Sequence, residues 1–279
     1  MKPFLKWAGG KRWLVAKHAD LLPPKVTRLV EPFLGSGAVF FHLEPSKAVL
    51  SDSNNQLIET YVILRSQPEQ VHEALRSHQA KHSPAHYYRM RASAPETDVE
   101  RAARFMYLNR TCFNALYRVN RRGEFNVPKG SKDTVLLPGD DFSAWAKALE
   151  CADLVAQDFA NTIAQAEEGD LLYVDPPYTV KHNNNNFVKY NEHIFSWADQ
   201  ERLAVCLSDA TQRGVRVLLS NANHVSVADL YSSSEWTQLV LDRHSVLASS
   251  ASSRKPTTEL VISNFLTRDG DMDTPRACV

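Results

Sequence analysis

No run of apolar residues in this 279-residue chain approaches the roughly 18 that a membrane-spanning helix needs. The first residues, MKPFLKWAGGKRW, hold no apolar stretch of the kind a secretory signal carries. The expectation is a cytoplasmic protein with no membrane partner and no obligate protein partner evident. Cysteine is scarce: Cys112, Cys151, Cys206 and Cys278 are scattered without a CxxC pair. Neither a disulfide framework nor a zinc site is indicated, and no metal is expected. Net charge is absent too, with 32 Lys and Arg against 32 Asp and Glu, which excludes a wholly basic nucleic-acid coat. What remains is ordinary globular composition, 43% hydrophobic and 23% charged, in a length that suits one or two domains.

Neutral overall, the chain is locally basic. Between residues 104 and 132 stand Arg104, Arg110, Arg118, Arg121, Arg122, Lys129 and Lys132, with Glu124 as the one acid. Tyr107, Asn109, Phe113, Asn114, Tyr117, Asn120, Phe125 and Asn126 are interleaved with them. Cations attract phosphates, aromatics stack on bases, and Asn bonds to base edges, so the patch points to nucleic acid.

Short apolar runs predict strands at 28–30, 48–51, 154–156, 171–174 and 215–219, four of them ending in or just before a carboxylate. Parallel sheets place ligand-binding groups at that end. An antiparallel pair is expected at 236–241 and 259–266. Helical patterns lie at 11–22, 38–43, 54–65, 160–167 and 197–213, the last with Leu203, Leu207 and Ala210 on one face. This alternation predicts an α/β doubly wound core. Helical stretches at 69–79, 85–91 and 98–107 interrupt it. The expected division is therefore 1–55 with 151–267 as one domain, 56–150 as a mainly helical insert, and 268–279 as a loose tail.

Three motifs carry chemistry. Glu31-Pro-Phe-Leu-Gly35-Ser-Gly37 follows a strand and opens a helix, and its glycines let a ligand approach the backbone. Asp52 ends the next strand, where an acid accepts from both hydroxyls of a ribose. Together they imply an adenosine-containing ligand without saying which. Asp175-Pro176-Pro177-Tyr178 follows the strand at 171–174. Its prolines cannot continue a central strand, and they fix a carbonyl beside the Asp175 carboxylate. Two acceptors side by side suit an exocyclic amino group, with Tyr178 flat against the ring that carries it. The third motif, Phe4-Leu-Lys6-Trp7-Ala-Gly-Gly-Lys11, sets a lysine beside a Gly-Gly turn that could hold a small carboxylate.

In this order the motifs resemble the deoxyadenosine (Dam) methylase family of adenine-N6-specific DNA methyltransferases. The match is close at FLKWAGGK, EPFLGSG, LNRTCFNALYRVNRRGEFNVPKG and DPPY, and it spans residues 4 to about 265. The resemblance implies a Rossmann-like S-adenosylmethionine-dependent methyltransferase sheet with an inserted DNA-recognition domain, acting on an adenine flipped out of double-stranded DNA. It implies that Trp7 and Lys11 flank the methionine part of the cofactor, that Gly35 and Gly37 pass beneath it, and that Glu31 and Asp175 also belong to the cofactor site. Asp52 would hold the ribose, and Asp158 with Phe159 would face the cofactor adenine. Asp175, Pro176, Pro177 and Tyr178 would hold the target base. Lys6, Asn114, Leu116, Arg118, Asn120 and Pro128 would lie at the recognition site, and Phe113 would act as an aromatic wedge. By their charge Arg121, Arg122 and Lys129 are expected to meet phosphates. Lys6, Leu116, Arg118 and Pro128 match members that read GATC. Ala115 stands where a glycine is usual and Lys129 where an aromatic is usual, which leaves the target sequence open. The polar loop at 179–193 is expected to be mobile and to close over the base. The segment 249–255 offers Arg254 and Lys255 as backbone contacts. Competing readings are an RNA or protein methyltransferase, a silent DNA-binding derivative, and a nucleotide-dependent oxidoreductase.

Overall fold

Four buried residues in a row, Leu171 to Val174, form the centre of a seven-stranded sheet. Only a strand covered on both faces tolerates an unbroken apolar run of this kind. The computed structural model of the chain describes residues 1–120, 122–181, 195–244 and 256–266. Arg121, most of the loop at 179–193, the segment at 249–255 and the tail at 268–279 lie outside the described residues.

The strands are β1 (Arg28–Glu31), β2 (Lys47–Asp52), β3 (Ala152–Ala156), β4 (Leu171–Val174), β5 (Arg216–Ala222), β6 (Thr237–His244) and β7 (Pro256–Ser263). Their order is β3-β2-β1-β4-β5-β7-β6, the sheet expected of a Rossmann-like methyltransferase. β1 runs parallel to β2 and to β4, and β4 parallel to β5. β7 returns antiparallel between β5 and β6, so the expected antiparallel pair is present, with β7 set earlier than 259–266. Since β1 has β2 on one side and β4 on the other, the strand order reverses between β1 and β4. Open α/β sheets bind ligands at such a switch point, beyond the carboxyl ends of the strands.

The helices are α1 (Arg12–Lys17), α2 (Phe40–Leu43), α3 (Asn55–Ser66), α4 (Pro68–Lys81), α5 (Pro84–Ala92), α6 (Asp98–Thr111), α7 (Phe142–Leu149), α8 (Phe159–Ile163), α9 (Trp197–Gln212) and α10 (Val225–Leu230). Three expected helices are shorter than their patterns, the 38–43 one beginning only at Phe40. The 11–22 pattern breaks at His18 (φ −135°) into a 3-10 turn, and Leu22 is extended because it precedes Pro23. The 160–167 pattern ends at Ile163, after which Gln165 and Ala166 bond three residues back.

The chain gathers into two units. The first unites residues 1–11, 35–44 and 54–156. Here α6 is buried along most of its length, and a capping box of Thr97 and Glu100 starts it. The second unites residues 12–34, 45–53 and 157 onward. In its core Leu203, Leu207 and Ala210 pack with Val215, Val217 and Leu219, as the one-faced pattern of α9 predicts. Cys112, Cys151 and Cys206 are free thiols, and Cys278 lies outside the described residues. No described helix is long and apolar enough to cross a membrane.

Candidate functional site

The second unit holds the carboxylates that the sequence marks at strand ends. Glu31 closes β1 and is 2% exposed, Asp52 closes β2, and Asp175 follows β4 directly. Glu31 and Asp175 therefore flank the β1–β4 switch point. The loop after β1 folds back on β2 through Leu34 N–H to the Ser51 carbonyl (2.8 Å), and Gln157 N–H reaches the Asp52 carbonyl (3.3 Å).

Asp158 caps α8 by accepting from Ala160 N–H at 2.9 Å. Both of its oxygens also accept from Arg202, at 2.7 and 2.8 Å. The Arg202 hydrogen bond holds the Asp158 carboxyl below the usual carboxylate range. The same guanidinium lies 4.0 Å from the centre of the Phe159 ring, which stacks on Phe33 at 5.4 Å. Phe195 meets Phe33 edge-on.

Past β4 the chain is irregular, as two prolines require. Thr179, fully buried, donates to the Phe195 carbonyl at 2.6 Å, and Gln200 donates to the Thr179 carbonyl at 3.4 Å. Asn221 at the end of β5 donates to Gln200 at 3.0 Å. This buried network fixes the exit of the Asp175–Tyr178 segment. Tyr178 is half-buried with its hydroxyl end deep, where burial, then the charges of Asp175 and Glu259, raise the phenol far above its ordinary range. Tyr173 is raised likewise by burial and by Asp175, with Glu259 and Glu31 adding to the effect. Both phenols stay protonated, so each remains a donor among carboxylates. Glu259, 1% exposed, is paired with Arg243 at 2.6 Å across the β6–β7 hairpin.

The first unit holds Trp7, Lys11, Gly35 and Gly37. Gly35 and Gly37 have φ of +48° and +62°. A Cβ on Gly35 would stand 2.8 Å from Trp7 Cδ1, so the indole occupies the space that glycine leaves. Trp7 stacks on Tyr117 at 5.6 Å and on Phe105 at 6.4 Å. Lys11 is 2% exposed and donates to the Gly9 carbonyl at 2.9 Å.

Among the basic-patch residues of the same unit, Phe113 is exposed (45%), and its N–H bonds to the Pro128 carbonyl at 2.9 Å. Asn114 and Ala115 both take φ of +53°, the left-handed region where a glycine would be at ease. Leu116 follows in extended conformation, and Arg118 Nε donates to Asn126 at 2.8 Å. Asn120 closes a turn, accepting from Arg122 N–H and Glu124 N–H and donating to the Glu124 carboxylate. Lys129 pairs with Asp133 at 2.7 Å. Three of the interleaved residues are not base-facing: Tyr107 and Asn109 are 0% and 3% exposed, because they lie on the buried helix α6, and Phe125 is buried as well. Sequence reasoning missed Arg202, Gln200, Asn221, Arg243 and Glu259. The only available signal was polar character inside or beside apolar runs.

A family model for the D12 class of N6 adenine-specific DNA methyltransferases matches residues 7–245. The chain belongs to that family. Its members are described by transfer of a methyl group to adenine N6 in DNA, and this sets aside the oxidoreductase reading and the protein and RNA methyltransferase readings. The chain is similar to the type II methyltransferase M1.LlaDCHI of Lactococcus lactis subsp. cremoris, with 36% identity over 95% of this chain and 96% of that one. The DNA adenine methylase of Escherichia coli K12 is 32% identical over 93% of this chain and 94% of that one. The DNA adenine methylase of Vibrio cholerae O395 is 34% identical over 82% and 84%.

Proposed function

We propose that this DNA methyltransferase takes its methyl group from S-adenosylmethionine and delivers it to an adenine flipped out of double-stranded DNA, with GATC the first target to test. The observation that carries this reading is the Asp175–Tyr178 segment at the β1–β4 switch point, its exit fixed at Thr179 by Phe195 and Gln200. The residues fit the cofactor. Asp52, a carboxylate at a strand end, suits a ribose diol, and the positive-φ turn at Gly35 seats the Trp7 indole in the space that glycine leaves. Trp7, Lys11, Gly35, Gly37 and Glu31 are assigned to its methionine part. Phe159 is assigned to its adenine, with Asp158 held by Arg202 beside that ring. When bound, S-adenosylmethionine supplies an electrophilic methyl group on a positively charged sulfur.

The amino nitrogen of adenine is a poor nucleophile because its lone pair is delocalised into the ring. The Asp175 carboxylate and the Pro176 carbonyl accept its two N–H groups, which favours a tetrahedral nitrogen and localises the pair. Pro177 holds that carbonyl in place, and Tyr178 stacks on the base. Asp175 need not be a strong base, since the methylated nitrogen gives up its proton readily. Flipping costs about a few kcal/mol of unstacking. Phe113, which is exposed, is assigned to fill the vacated stack and offset part of that cost. Residues 56–150 are assigned to target recognition, residues 1–55 and 151–267 to catalysis, and 268–279 to a tail. Lys6, Asn114, Leu116, Arg118, Asn120 and Pro128 are assigned to base and groove contacts, and Arg121 and Arg122 to phosphates. Action on DNA implies residence in the cytoplasm, at the nucleoid.

The test is transfer of tritiated methyl from S-adenosylmethionine to unmethylated duplex DNA, with digestion to nucleosides. Label in N6-methyladenine and protection of GATC from cleavage are expected. Label confined to another sequence would reassign the target while keeping the reaction. Cofactor binding without label on any DNA would overturn the reading in favour of a silent DNA-binding derivative.

A further inference from the structure

Asn109 belongs by its type to the residues able to bond to bases, yet it is 3% exposed and turned inward. It lies in the last turn of α6, and its carboxamide closes on the main chain of Lys6. Lys6 N–H donates to Asn109 Oδ1 at 3.0 Å, and Asn109 Nδ2 donates to the Lys6 carbonyl at 2.7 Å. This is the two-bond exchange of paired antiparallel strands, made here by one side chain. Arg110, the next residue, does similar work: it donates to the Phe4 carbonyl at 3.0 Å and the Val135 carbonyl at 2.8 Å, and it pairs with Asp140. Side chains of α6 thus hold the segment carrying Lys6. Four residues beyond Asn109 the chain delivers exposed Phe113.

We propose that Asn109 is a positioning residue for target-sequence discrimination, fixing the Lys6 backbone at the end of α6 and so setting where the Lys6 ammonium meets a base edge relative to Phe113. The inference rests on the assignment of Lys6 and Phe113 to DNA recognition made above. Only a carboxamide of this length offers the required donor and acceptor together. Aspartate sets an anionic oxygen against the Lys6 carbonyl, and leucine offers neither bond. A displaced Lys6 still attracts phosphates, which carry no sequence information. Discrimination therefore suffers more than overall binding.

The experiment measures kcat/KM on a duplex bearing the wild-type target and on duplexes with each base pair changed singly. Wild type, Lys6→Ala, Asn109→Leu and the double variant are compared, and thermal midpoints are recorded. Asn109→Leu should lose about 10-fold in discrimination at the same base position as Lys6→Ala and little at the others. The double variant should lose no more than Lys6→Ala. An equal loss on every duplex, or losses that multiply in the double variant, overturns the proposal and leaves Asn109 holding the fold alone. If Asn109→Leu does not fold, Asn109→Asp keeps the volume and one acceptor and is judged by the same outcomes. A wild type that methylates selectively while Lys6→Ala discriminates as well as it does also overturns the proposal. A wild type that methylates no DNA fails the functional reading at the first step, before any variant is compared.

Discussion

Gly35→Ala puts the geometry of the first glycine motif under direct strain. A residue with a Cβ held at φ +48° costs about 1–2 kcal/mol over glycine. The new Cβ also meets Trp7 Cδ1 at 2.8 Å and Nε1 at 3.2 Å. The indole cannot move aside freely, because Tyr117 and Phe105 stack on it and Tyr61 donates to the Gly35 carbonyl at 3.1 Å. Overpacking of this kind costs about 1–3 kcal/mol, and the stiffer unfolded chain of alanine returns about 0.4–1 kcal/mol. The net loss is about 1–5 kcal/mol. Gly139→Ala is the control: its φ is +86° with nothing within 4 Å, so the backbone cost stands there without the collision. Urea unfolding of both variants isolates the collision as their difference, about 1–3 kcal/mol. In a double variant, Trp7→Ala should recover much of that difference. If Gly35→Ala is as mild as Gly139→Ala, or if Trp7→Ala adds its own loss in full, the packing argument is refuted.

Two further outcomes follow from charge. Glu259→Ala leaves the largely covered Arg243 guanidinium without its carboxylate and should cost about 3–5 kcal/mol in chemical unfolding, while methyl transfer falls as the charge acting on Tyr178 is lost. A stability loss within experimental error would show that the pair carries nothing. Burial, with His86 second, lowers His78 to about 4 from its ordinary 6.5. The unfolded chain therefore binds the extra proton first. Stability from this group is whole above pH 6.5 and is lost as the pH falls toward 4. Unfolding midpoints between pH 7 and 4 should drop less steeply for His78→Asn, and parallel curves would count against this assignment.

Much of the sheet was legible because a strand covered on both faces shows as a short apolar run in its own local sequence. The run at 171–174 coincides with β4 at both ends, and the acids at 31, 52 and 175 mark strand ends that the structure confirms. The face of α9 was legible for the same reason, since a 3.6-residue period needs no partner to be seen. α7 carries the same period in Phe142, Trp145, Ala146 and Leu149 but went unread beside the basic patch. The long-range pairings were not legible. Asn109 meets Lys6 across 103 residues, Asp158 meets Arg202 across 44, and Glu259 meets Arg243 across a hairpin. No local period reports such contacts. The first helix stops at His18, and Pro23 then holds Leu22 extended, against an apolar pattern that would have continued.

The central claim is that Asp175 at the β1–β4 switch point engages the amino group of the target adenine. Single-turnover methylation of duplex DNA by wild type and Asp175→Ala, at saturating S-adenosylmethionine and with DNA binding measured alongside, tests it most directly. The account predicts a rate lower by at least about 100-fold with DNA affinity within a few-fold of wild type. A variant that methylates adenine within about 3-fold of the wild-type rate would contradict it.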